Sequence, residues 1–327
     1  MTLLTFFLAC SPTTEDSGAA PPTSFRVAVL SDTHVIGPQY TCCSENGDLD
    51  NASIMRTNER LAEAVDRINA IDPPVELVLL AGDIVHDARL YDSLEAYQGQ
   101  EHAWSRAGEL LGRLRAPYHI AWGNHDYDFS CNDAVYDRAL THGLFDRWLG
   151  APPFEQVDHK GWRFLLANSQ LGPTFELGNP RCDGGLGSFG AEQLAWLDTA
   201  LQEGLPSVVL SHHYLVVTAS NEDPDGRIDF ETVLGDAPNL QLVLAGHSHR
   251  WITFDRDDFD QVLVAGTRYD PDNFWVLDMA LDGSGFDILD AEKARNLDTC
   301  ADTWVYDGTP MPDPSAPAET GDCAASR

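Results

Sequence analysis

Five short apolar runs in this chain each stop at residues of a kind that bind metals or move protons. Phe25 to Ser31 leads into Asp32-Thr33-His34, Val75 to Ala81 into Gly82-Asp83, and Tyr118 to Trp122 into Gly123-Asn124-His125-Asp126. Val208-Val209-Leu210 leads into Ser211-His212-His213-Tyr214, and Leu240 to Ala245 into Gly246-His247-Ser248-His249. Runs of this length, rich in Val and Leu, read as buried strands. Helical patterns lie between them. Ile54, Leu61, Ala64, Val65, Ile68 and Ile71 recur at helical spacing before Pro73-Pro74. Leu90 to Arg115 and Asp133 to Leu149 follow suit, and Ser188 is the expected cap of a helix carrying Leu194, Trp196, Leu197 and Leu201. Trp162 to Ala167 adds a strand, and after Ala245 come strands without helices, at Trp251 to Phe254, Gln261 to Ala265 and Asn273 to Met279. Alternating β and α with a β-rich end predicts one layered α/β domain. Groups just past the carboxyl ends of such strands face a common crevice, so the five motifs should meet in space. Their carboxylate, imidazole and amide oxygen donors suit Zn, Mn or Fe better than Cu(I) or Ca.

An Asp-x-His or a Gly-Asp alone carries little information, whereas Gly-Asn-His-Asp and Gly-His-x-His are each uncommon. All five motifs in this order, from about Phe25 to Leu289, resemble the calcineurin-like metallophosphoesterase family, with its D-x-H, G-D, G-N-H-[DE], lone His and G-H-x-H signature. The resemblance implies a four-layer α/β/β/α sandwich binding two divalent or trivalent transition metal ions (Fe, Mn or Zn). It also implies hydrolysis of a small phosphodiester or phosphomonoester through attack by a metal-bridging hydroxide. Asp32, His34 and His249 would hold one metal, Asn124, His212 and His247 the other, and Asp83 would bridge them. A bridging carboxylate suits ions roughly 3.5–4 Å apart that clamp one phosphate between them. His125 would serve the leaving oxygen or steady the charged transition state, oriented by Asp126. Family members often show H-x-P at the lone His. That aligns His212 with Tyr214 in the Pro place, while a slip of one would select His213 instead.

Departures from the signature narrow the branch. Purple acid phosphatases place Tyr three residues after the bridging Asp, where this chain has His86. Protein Ser/Thr phosphatases place Arg where this chain has Trp122. The pattern is most similar to the class III cyclic-nucleotide and glycerophosphodiester phosphodiesterases. His86, His102, His119, His142 and His159 match no signature position and receive no role, His86 being notable for its distance from Asp83. Two other functions stay open: a phosphate-scavenging phosphomonoesterase, and a non-catalytic, metal-stabilised binding protein of the same fold.

With 52 Asp and Glu against 20 Lys and Arg, the formal charge of the 327-residue chain is −32. Such a surface repels phosphate backbones, so no nucleic acid is expected as an extended partner. A small phosphoester is compatible with it, since bound metal inverts the local field. Residues 1–10, MTLLTFFLAC, resemble the end of a lipoprotein signal peptide with Cys10 as acylation site, although no basic segment precedes the apolar run. An upstream start would account for that. Residues 11–24 read as a flexible tether, 25–290 as the metallophosphoesterase domain, and 291–327 as a polar tail closed by Cys300 and Cys323. The expected location is the periplasmic or cell-surface face of a bacterial membrane, reached through the lipid anchor alone. Six cysteines besides Cys10 suit disulfides in an oxidising compartment. Cys42 and Cys43 are expected to pair separately with Cys131 and Cys182 across the pocket rim, a vicinal Cys42–Cys43 bridge being the strained alternative.

Overall fold

The computed structural model describes residues 22–41, 53–132, 137–219, 229–254 and 259–289. The expected signal peptide and C-terminal tail, with Cys10, Cys42, Cys43, Cys300 and Cys323, lie outside these residues. Eleven strands are described: β1 (Ser24–Leu30), β2 (Val75–Ala81), β3 (Tyr118–Ala121), β4 (Glu155–His159), β5 (Trp162–Leu166), β6 (Ser207–Ser211), β7 (Leu240–Ala245), β8 (Ile252–Phe254), β9 (Asp260–Leu263), β10 (Phe274–Ala280) and β11 (Phe286–Leu289). They form two sheets, ordered β11-β10-β1-β2-β3 and β4-β5-β6-β7-β9-β8. Within them β1, β2 and β3 run parallel, as do β5, β6, β7 and β9, while β10 and β11 close the first sheet antiparallel.

Side-chain alternation along these strands builds the layers. In β1 and β2, Val27, Val29, Leu77 and Leu79 meet Phe164, Leu166, Val208, Leu210, Leu242 and Leu244 of the second sheet. Their neighbours Ala28, Leu30, Val78 and Leu80 face outward onto helices α1 (Thr57–Asn69), α3 (Ala103–Leu111) and α5 (Arg138–Leu149). Leu165, Val209 and Val243 do the same for α6 (Ala191–Gln202) and α7 (Phe230–Gly235). Two short helices, α2 (Leu94–Tyr97) and α4 (Asn124–Tyr127), lie among them, and two 3-10 turns span Pro173–Phe175 and Leu215–Val217. The expected α/β/β/α sandwich is therefore present, with every motif-bearing strand pointing its carboxyl end to one rim.

Several local expectations are corrected. The helical pattern over Leu90 to Arg115 is broken between α2 and α3, where Gly99 adopts a left-handed φ of 73° and His102 starts a new helix as its N-cap. Ser188 does not cap α6, which starts after Gly190; its hydroxyl instead accepts from the Thr174 amide at 3.0 Å. Edge strands β4 and β11 escape the apolar-run criterion because their residues are only partly buried. Cys131 and Cys182 are bonded to each other, with Cα atoms 5.8 Å apart, so neither is available to Cys42 or Cys43. Phe129 packs on Phe175 with ring centroids 5.2 Å apart, which brings the two cysteine-bearing loops together.

Candidate metal centre

The loops leaving the strands are stitched to one another before any side chain is considered. Asp32 N donates to Gly82 O (3.0 Å), His34 N to Asp83 O (2.9 Å) and Gly246 N to His212 O (3.1 Å). The loop after β9 joins them, with Thr267 N on Ser31 O (2.9 Å) and Arg268 N on Asp32 O (3.1 Å). Seven described non-glycine residues have positive φ, and five of them are Asp32, His34, Asp83, His247 and His249. Each left-handed residue costs roughly 1–2 kcal/mol, so the surrounding structure over-determines these side-chain directions. Close approach adds a second constraint: a Cβ on Gly246 would collide with Ser31 Oγ and lie 2.8 Å from Ala81 O.

Two groups of donors result, and they share Asp83. His34 Nε2 lies 3.2 Å from His249 Nε2, 3.6 Å from Asp83 Oδ2 and 3.9 Å from Asp32 Oδ1. On the other side, Asn124 Oδ1 lies 3.0 Å from His212 Nε2 and 3.1 Å from His247 Nδ1, and His212 Nε2 is 3.3 Å from Asp83 Oδ2. One carboxylate oxygen thus faces a ring nitrogen of each group. His212 is the residue that enters the cluster, and its Nδ1 hydrogen goes to Ala81 O at 2.7 Å. His213 turns away to Ser169 Oγ (2.8 Å) and Gln170 Nε2 (3.1 Å) while its ring packs 4.4 Å from that of His247.

The electrostatics call for a cation. Burial pushes the Asp32 carboxyl up, but His249 and His212 prevail and hold it below the usual range. Burial raises Asp83 too, and attraction to His212 and His125 overcomes it and holds Asp83 well below that range. Burial keeps His34 well below its ordinary value, and burial together with His212 lowers His247 to about 4. Although burial opposes it, Asp83 draws His212 up to about 9. Two buried carboxylates therefore stay ionised and recruit the nearest proton. Asp32 Oδ1 is buried without a hydrogen bond, although His249 Nε2 approaches it at 3.2 Å. Uncompensated charge of this kind is costly unless paired or metal-bound. Asp32, His34, Asp83 and His249 could hold an ion together, with ligand atoms all within 4.8 Å of one another. The mixed nitrogen and oxygen donors fit a transition metal.

His125 stands at the edge of the cluster, half-buried, its ring centroid 4.7 Å from that of His34. Its backbone N–H donates to Asp83 Oδ1 at 2.8 Å. Asp126 does not fill the expected role of orienting the His125 ring. Its Oδ1 accepts from Val85 N (3.0 Å) and its Oδ2 from Gly123 N (2.8 Å), so it ties the second and third motif loops together. Burial and the nearby Asp83 raise it to about 8. Sequence reasoning also passed over Ser31, whose hydroxyl donates to Asp32 Oδ2, and Tyr269, whose Oη lies 3.4 Å from His249 Nδ1. Ser31 had no signal beyond adjacency to Asp32, and Tyr269 none at all. The remaining histidines have local partners: His119 with Glu155 (3.0 Å), His159 with Glu76 (3.2 Å) and His142 with Tyr127 Oη (3.1 Å).

Several known proteins are similar to this chain. A 3',5'-cyclic-nucleotide phosphodiesterase from Nostoc sp. is 25% identical over 230 residues, covering 68% of this chain and 71% of that protein. The 3',5'-cyclic adenosine monophosphate phosphodiesterase CpdA of Escherichia coli is 24% identical over 238 residues, covering 70% and 71%. Among solved structures, a dimetal phosphatase from Danio rerio superposes with a TM-score of 0.52 at 17% identity, over 80% of this chain and 94% of that one, a likeness of fold. The sequence model of the family described as calcineurin-like phosphoesterase matches residues 25–251. The chain belongs to the calcineurin-like phosphoesterase family and is a metal-dependent phosphoester hydrolase.

Proposed function

We propose that this protein is an exported phosphodiesterase of small substrates in the cyclic-nucleotide class, working with two transition metal ions, each Fe, Mn or Zn. The observation that carries this reading is Asp83 Oδ2, which faces His34 Nε2 at 3.6 Å and His212 Nε2 at 3.3 Å. Asp32, His34 and His249 would hold one ion, Asn124, His212 and His247 the other, with Asp83 shared. When bound, the metals supply Lewis acidity toward the phosphoryl oxygens and an activated water. The chain does the rest. Asn124 brings a neutral oxygen, so its group carries less negative charge than the one holding Asp32. Ala81 O fixes the His212 tautomer with Nε2 free, as expected of a ligating histidine. His125, half-exposed beside the cluster, would give a proton to the departing oxygen.

The diesterase preference is supported by the cyclic-nucleotide phosphodiesterases among the relatives. Export is supported by the Cys131–Cys182 disulfide, a bond rare in reducing compartments. Initial rates on a 3',5'-cyclic nucleotide, an aryl phosphodiester and an aryl phosphomonoester test the substrate class. The diesters should be favoured by at least about tenfold in kcat/KM, about 1.4 kcal/mol in transition-state stabilisation. A preference for the monoester would support the phosphate-scavenging alternative.

A further inference from the structure

His34 turns Nε2 toward Asp83 and His249 and leaves Nδ1 on its far side. That second nitrogen lies 3.2 Å from His86 Nδ1. A neutral imidazole with its lone pair free at Nε2 must carry its hydrogen at Nδ1. In that tautomer His34 donates and His86 Nδ1 accepts, so the His86 hydrogen sits on its own Nε2. His212, in the other group, is braced in the same sense by the Ala81 carbonyl. One histidine therefore leans on backbone and the other on a second side chain.

His86 has a second contact. Its ring lies nearly parallel to that of His125, with centroids 5.2 Å apart and planes 18° apart, and Tyr40 meets its edge at 5.2 Å. The backbone holds it in place, with His86 N on Val35 O at 3.0 Å and Val35 N on Ile84 O at 2.8 Å. We propose that His86 is a positioning residue serving both halves of the chemistry, its Nδ1 holding His34 in the metal-ready tautomer and its ring holding His125 at the cleft. This rests on the two-metal reading above. It assigns no ion to His86 itself, although the ligand atoms of His34, His86 and His125 also lie within 4.8 Å of one another.

Two variants separate the two contacts. His86→Phe keeps a ring against His125 and removes the acceptor. His86→Asn puts an amide oxygen near the Nδ1 position and removes the ring. Metal-stripped proteins are titrated with Zn(II) against a chromogenic chelator, and kcat and KM for an aryl phosphodiester are measured at saturating Zn(II). In His86→Phe one of the two ions should bind about 10- to 100-fold more weakly, the usual effect of losing such an outer partner. His86→Asn should keep that affinity within about threefold and lose about tenfold or more in kcat with little change in KM. Phe binding zinc as tightly as wild type would overturn the proposal, as would both variants losing affinity and kcat in parallel. A third ion in the wild type, missing from both variants, would also overturn it by making His86 a ligand. If the wild type takes up no metal, the two-metal reading itself fails, which is a separate outcome.

Discussion

Asp83 uses both oxygens: Oδ1 accepts the His125 amide at 2.8 Å, and Oδ2 lies between the His34 and His212 rings. Such packing leaves no room for error at neighbouring glycines. At Gly246 an added methyl group would run into Ser31 Oγ, itself bonded to Asp32. Gly246→Ala should therefore lower kcat by about 100-fold, the scale expected when reacting groups are displaced by about 1 Å. Wild-type turnover in that variant would show that the first and fifth motifs tolerate separation. At this scale the sequence was most legible for the residues whose chemistry is specific: all seven proposed ligands converge. Asp126 was misread because adjacency to His125 says nothing about direction. On the first turn after Gly123 it points inward, to two backbone amides.

Elements were legible where burial imposes a pattern and illegible where it does not. The parallel strands read clearly because both faces are covered. Strand β4, EQVDH, alternates between partly buried and exposed residues at a sheet edge and has no apolar run to find. The break before α3 depends on His102, which is buried and accepts from Ser105 N at 3.2 Å as an N-cap. Burial, opposed by the Tyr97 carbonyl, lowers the His102 pKa below its ordinary 6.5. The folded state then binds fewer protons than the unfolded state, so stability is present above about pH 6.5 and declines as pH falls toward the folded value. His102→Asn keeps a capping oxygen and removes the titrating ring. Its urea midpoint should fall less than the wild-type midpoint between about pH 7 and pH 5, within the 0.5–2 kcal/mol typical of caps. Equal losses would remove His102 from the account of acid sensitivity.

Across the whole molecule, two sheets converge so that loops from five strands supply one centre, which explains how motifs from Asp32 to His249 act together. Disulfide pairing was not legible because it depends on how loops fold over the rim, and Cys131 met Cys182 there. Cys10, the expected acylation site, would govern location if acylated: Cys10→Ala should then move the protein from the membrane fraction to the soluble fraction. Unchanged membrane retention would contradict acylation. The central claim is that one carboxylate joins two metal groups, and metal analysis of purified protein tests it most directly. Wild type should contain about two transition metal ions per chain. Asp83→Asn should contain at most one, with phosphodiester hydrolysis reduced by about 100-fold or more. Wild type without metal, or an Asp83→Asn protein with two ions and full activity, would contradict the account.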